Sequence, residues 1–97
     1  MMSSRKEVEI EIQLDDDVAQ GTYSNLSLVN HTETEFTIDF LYLQPQQPKA
    51  SVRARIVSSP KHTRRLINIL EENIRRYEKR FGSIEAIDPN STDLILQ

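Results

Sequence analysis

The chain has no cysteine and no tryptophan, only two glycines and two histidines, and no long apolar run. Each absence removes a class of function. Without cysteine there is no disulfide framework and no thiolate metal ligation. His31 and His62 stand alone, with no H-x-x-x-H or H-E-x-x-H spacing, so one chain supplies no histidine-rich metal site. Gly21 and Gly82 lie far apart, which excludes a glycine-rich loop around a phosphate. For the same reason no serine has the G-x-S-x-G setting of an activated nucleophile. No apolar stretch approaches the roughly 20 residues of a membrane-spanning helix. The opening Met-Met-Ser-Ser-Arg-Lys runs into an acidic alternation and not into an apolar signal segment, so the expected setting is the cytoplasm. No catalytic residue, metal or cofactor is assigned.

What is present is short and charged. Ninety-seven residues make one domain, with a hydrophobic content of 37% and a net charge of −3. The charge is unevenly placed. Residues 1–50 hold nine acids against three bases, giving −6, and residues 51–97 hold nine bases against six acids, giving +3. Such asymmetry fits either a nucleic-acid surface or an acidic strand face meeting a basic helix or a neighbouring subunit, and the acidic balance of the whole chain favours the second.

The clearest segment is Ser59 to Gly82. Ser59 is a ready N-cap, Pro60 suits the first helical position, and Gly82 suits the left-handed end. Leu66, Leu70, Ile74, Tyr77 and Phe81 recur at steps of four or three, which predicts a helix over about 60–81 with one apolar stripe, widened by Ile67 and Ile69. Ahead of it, four strands are predicted. Val8, Ile10, Ile12 and Leu14 alternate with Glu7, Glu9, Glu11 and Gln13, the pattern of a strand over about 7–14 with one buried and one acidic face. Asp15, Asp16 and Asp17 are consecutive and lack the spacing of a calcium loop, so they read as a solvated turn. Strands over about 22–30 and 35–43 follow, joined by the turn Asn30–Thr34. On the second of these Phe36, Ile38, Phe40 and Tyr42 share a face while Leu41 and Leu43 face the other way. Beyond the polar loop Gln44–Lys49 a fourth strand spans about 50–58. Strict alternation there puts Val52, Ala54 and Ile56 on one side and Arg53, Arg55 and Val57 on the other, with the arginines able to face either the glutamates of another strand or Asp39 and Glu35 across the hairpin.

The fold class is therefore α+β: a four-stranded antiparallel sheet covered by one long C-terminal helix. Residues 1–6 read as a disordered leader, 7–82 as the domain and 83–97 as a loose tail. One helix leaves apolar sheet surface uncovered, so a homo-oligomer, most simply a dimer, is expected. Leu41, Leu43 and Val57, with Arg53 and Arg55, form the candidate surface for a partner polypeptide. Arg64, Arg65, Arg75, Arg76, Lys79 and Arg80 form the candidate nucleic-acid surface, which would reveal itself by affinity that falls steeply with salt. Glu71 to Arg75 and Glu72 to Arg76 are i, i+4 pairs that compensate part of that charge, and no aromatic is interleaved with the bases. An enzyme working through Asp39 with His31 or Arg55 ranks third.

The residues Tyr23-Ser24-Asn25-Leu26, His31, Glu35-Phe36, Asp39-Phe40, Pro45, Pro48-Lys49-Ala50, Val52, Arg55-Ile56, Ser59-Pro60, His62, Arg65-Leu66, Leu70, Asn73, Tyr77-Glu78 and Phe81-Gly82 carry a resemblance. Over about 21–82 the chain resembles the bacterial and archaeal domain-of-unknown-function family thirty-four sixty-seven. The resemblance implies small stand-alone proteins and brings no activity with it. Within it Asn25, His31, Asp39, Arg55 and Asn73 read as hydrogen-bond anchors. In plan alone, the sheet followed by a long helix is similar to the SecB-type export chaperones, which pair sheets between subunits and present apolar grooves to extended polypeptide.

Overall fold

The computed structural model describes residues 8–85. It is α+β, with a helical turn α1 (Asp16–Ala19), strands β1 (Leu26–His31), β2 (Phe36–Leu43) and β3 (Ala50–Ser58), and the long helix α2 (Pro60–Phe81). The sheet is antiparallel in the order β1-β2-β3. It has three strands, where the sequence predicts four. Val8–Leu14 is part of no helix or strand and belongs to no sheet. Alternating polarity shows that a segment suits a sheet; it does not say which edge will accept it. The predicted leader and most of the predicted tail lie outside the described residues.

Local chemistry explains each boundary. The Asp15 carbonyl accepts the Val18 and Ala19 N–H groups at 3.0 and 2.8 Å, closing α1, and Gly21 follows at φ 79°, a conformation that needs glycine. Ser24 and Asn25 then fasten the chain to β2. The Ser24 hydroxyl donates to the Leu41 carbonyl at 2.9 Å, and the Asn25 carboxamide both accepts from the Leu43 N–H at 2.7 Å and donates to the Leu43 carbonyl at 3.1 Å. Asn25 thus closes the ladder with its side chain, and β1 proper begins one residue later. Thr32 makes the β1–β2 turn. Its Oγ1 accepts from the backbone of Thr34 and Glu35, and its N–H donates to the Glu35 carbonyl.

Helix α2 runs as its punctuation predicts. The Ser59 hydroxyl accepts the His62 N–H at 3.0 Å, Pro60 stands in the first turn, and the Gly82 N–H donates to the Glu78 carbonyl at φ 102°. Thr63 is buried at the start of the helix, its hydroxyl donating to the Ser59 carbonyl at 2.7 Å.

Packing is the surprise. The sequence predicts a helix laid over the sheet, yet Leu70, Ile74, Tyr77 and Phe81 are each about half exposed or more. The helix meets the sheet near its own start, where Phe36, Pro60, Thr63, Arg64 and Ile67 line an open cavity of about 440 Å³. Among the described residues Leu41, at 6% exposure, is the one buried hydrophobic side chain. A periodic stripe specifies that a helix will bury one face, without specifying that its own chain provides the cover.

Candidate functional site

Two sheet faces can be read from the register. On one, Ser27, Val29 and His31 of β1 stand beside Phe40, Ile38 and Phe36 of β2, and these beside Ala54, Ile56 and Ser58 of β3. On the other, Leu26, Leu28 and Asn30 stand beside Leu41, Asp39 and Thr37, and these beside Val52, Arg55 and Val57. We call them the aromatic face and the leucine face. Each carries apolar residues that stay open: Val29 and Ile56 on the first, and Val52 and Val57 on the second, remain about half exposed.

The register slips by one residue between Phe40 and Leu41, opposite Ala54 and Val52, which leaves Arg53 as the extra residue of a β-bulge. The slip corrects the alternation predicted for β3. Arg53 parts company with Arg55 and lies over the Tyr42 ring on the aromatic face, its guanidinium carbon 5.4 Å from the ring centroid. Tyr23 closes edge-on against the same ring at 6.2 Å. Leu41, Leu43, Val57 and Arg55 do share the leucine face, so four of the five residues expected for a partner surface come together and Arg53 does not. Leu26 and Leu28 complete this face. Their alternation around Ser27 was a signal for them in the sequence, but nothing local tied that strand to Leu41.

Asp39 and Arg55 face each other across β2 and β3. Arg55 Nε donates to Oδ1 at 2.7 Å and Nη2 to Oδ2 at 2.9 Å, a bidentate pair in which the carboxylate is buried and the guanidinium stays largely in solvent. The hydrogen bonds from Arg55 hold the Asp39 carboxyl below its ordinary value; burial opposes them and the arginine charge adds to them. The same contacts raise Arg55. A depressed carboxyl stabilises the fold above its unfolded pKa of about 3.9, and that contribution disappears as pH falls through the lower folded value. Asp39→Asn is therefore expected to melt below the native protein at pH 7, with the gap closing as the pH is taken towards 2. Melting curves by circular dichroism across that range check this, and a gap independent of pH would contradict it. His31 takes no part, because it lies on the aromatic face, stacked on Phe36 at 5.4 Å. The grouping of Asp39 with His31 is thus ruled out by the register.

Along α2 the six bases expected to meet nucleic acid are all exposed. At about 100° per residue they fall within an arc of roughly 160°, opposite the apolar stripe. Glu72 interrupts this arc and binds Arg76 at 3.4 Å; Glu71 and Arg75 do not come within ion-pair distance. Among the described residues no group of acids and histidines could hold a metal ion, and no helix is long and apolar enough to cross a membrane.

A family model described as "Protein of unknown function (DUF3467)" matches residues 2–86. The chain belongs to that family. The match extends the likeness read over 21–82 to both sides, so the DUF3467 unit includes Val8–Leu14 as well as the sheet and the helix. No curated protein and no solved structure matches the chain. The SecB-type plan thus gains no support from solved structures, and the three-stranded sheet departs from it.

Proposed function

We propose that this DUF3467 protein is a non-enzymatic, self-associating interaction module of the cytoplasm, whose assembled apolar faces hold a partner polypeptide in the manner of a chaperone or adaptor. One observation carries the reading: the described residues build two apolar sheet faces and an apolar helix stripe, yet they bury a single hydrophobic side chain. Monomeric domains rarely leave large contiguous apolar surface open, and such patches mark interaction sites. A second copy is the simplest cover, because every copy brings both an open sheet and an open helix. The Asp39–Arg55 pair suits an interaction surface better than catalysis. Its two oxygens are each engaged by the guanidinium, and His31 lies on the opposite face.

Light scattering on a sizing column at low and high salt tests the assembly. The expected result is a dimer or larger species at both concentrations, since apolar burial resists salt. A monomer at both would end this reading. The runner-up is nucleic-acid binding, favoured by the arc of bases opposite the stripe. An assembly that dissolves in high salt would weigh against both, because the acidic and basic halves would then be meeting each other and the bases would be occupied.

A further inference from the structure

Val8–Leu14 is a segment with the polarity of a strand that belongs to no helix, strand or sheet. Val8, Ile10, Ile12 and Leu14 are 72, 79, 88 and 65% exposed. Among the described residues none of its backbone groups makes a backbone hydrogen bond. Four β-branched or leucine side chains in strict alternation have one use in a protein interior, which is to line a sheet. We propose that this segment is a strand exchanged between copies: it pairs with the outer edge of β1 in a second copy of the chain. The inference rests on the self-association reading and names the element that performs it.

The choice of edge follows from how the two free edges are built. The outer edge of β3 carries the Arg53 bulge and two arginines, the usual devices that stop an edge from accepting another strand. The outer edge of β1, Leu26–His31, has no bulge, no proline and no lysine, arginine or acid. Its length matches: seven residues at about 3.3 Å each span roughly 23 Å, against roughly 20 Å for the six of β1. The path of the chain argues against pairing at home. Ser24 and Asn25 bind Leu41 and Leu43 in line with β1, and α1 and Gly21 then carry the segment away, so that its own β1 edge stays vacant.

Charge sets the orientation of the faces. Among the strand residues the aromatic face holds Arg53 and no acid, whereas on the leucine face Arg55 is already paired with Asp39. Glu9 and Glu11 therefore belong on the aromatic side, and Val8, Ile10, Ile12 and Leu14 beside Leu26 and Leu28 on the leucine side. The docked strand would extend the leucine face by one row.

The absence of native cysteine makes cross-linking clean. Full-length chains carrying Ile10→Cys or Ile12→Cys are mixed with mass-tagged chains carrying Leu28→Cys and oxidised. The expected product is a covalent dimer joining the two kinds of chain, from at least one of the two positions. An internal disulfide in monomeric Ile12→Cys, Leu28→Cys chains would place the strand on its own sheet and overturn the proposal, as would the absence of any cross-link. In parallel, the full-length Ile10→Lys, Ile12→Lys variant is weighed by light scattering. A dissociation constant at least about 100-fold weaker is expected, with Gln46→Lys, in the exposed loop between β2 and β3, as a folded control. Native mass in the lysine variant would overturn the strand exchange and leave the assembly reading standing. A monomeric native chain would overturn both.

Discussion

Ile74→Lys is expected to leave the protein monomeric at concentrations where the native chain is assembled. Ile74 stands in the middle of the α2 stripe, between Leu70 and Tyr77, and is 46% exposed in the single chain. If that stripe is buried against a second copy, the substitution forfeits about 1.5–3 kcal/mol of side-chain burial and adds the cost of desolvating an ammonium group. At 1.4 kcal/mol per tenfold, the dissociation constant weakens by about 100-fold or more. The helix itself tolerates the change. Lysine is at least as good a helix former as isoleucine, and Glu71 and Glu78, one turn to either side, are favourable neighbours for it. Loss of assembly with helical content retained, measured by light scattering together with circular dichroism, is the expected signature. A variant of native mass would show that the stripe faces solvent in the working protein.

Leu41→Ala is expected to cost about 2–3 kcal/mol of stability. Leu41 is the one buried hydrophobic side chain among the described residues, on the central strand between Leu26 and Val52. Deletions of this kind cost about 2–5 kcal/mol, the larger values coming from sites that cannot collapse around the cavity. The neighbours here are themselves partly exposed, so the lower part of that range applies. Against a total of about 5–15 kcal/mol for a domain, even this is a large fraction. Urea unfolding should show a lower midpoint, with Val57→Ala on the same face within about 1 kcal/mol of the native protein. A cost below 1 kcal/mol for Leu41→Ala would mean that the sheet is held by something other than its centre.

The two variants probe different levels of the same architecture. Leu41 is buried by its own strands, so its loss is felt by a single chain. Ile74 is buried, on our reading, only when copies meet. The Asp39–Arg55 pair lies between these cases, with a carboxylate closed in by its own chain and a guanidinium left at the surface, where a second layer would cover it.

Much of the fold was legible residue by residue. Ser59, Pro60 and Gly82 mark the ends of α2 because caps act through contacts within one turn, and Pro60–Phe81 is the span they predict. Phe36, Ile38 and Phe40 alternate with Thr37 and Asp39, so the two faces of this strand could be assigned before any neighbour was known. The Asp39–Arg55 contact was also within reach, since hairpin strands of known ends leave few registers. Arg53 was not. A bulge depends on how two strands fit along their whole length, and Val52, Arg53 and Ala54 carry no glycine or proline to announce one.

The sequence by itself determined the helix α2 and the strands β2 and β3, which side of α2 and of β2 carries each apolar row, and that the chain lacks the means for disulfides, glycine-rich phosphate loops or a histidine-rich metal site. These follow from spacing and side-chain chemistry, which are properties of short stretches. Only the tertiary structure decided that Val8–Leu14 stays outside the sheet, that α2 departs from it with its stripe open, and that a bulge separates Arg53 from Arg55. Each of these is a choice of neighbour. Hydrophobic burial is non-directional, so an apolar face states that it will be covered and leaves open which part of which chain will cover it.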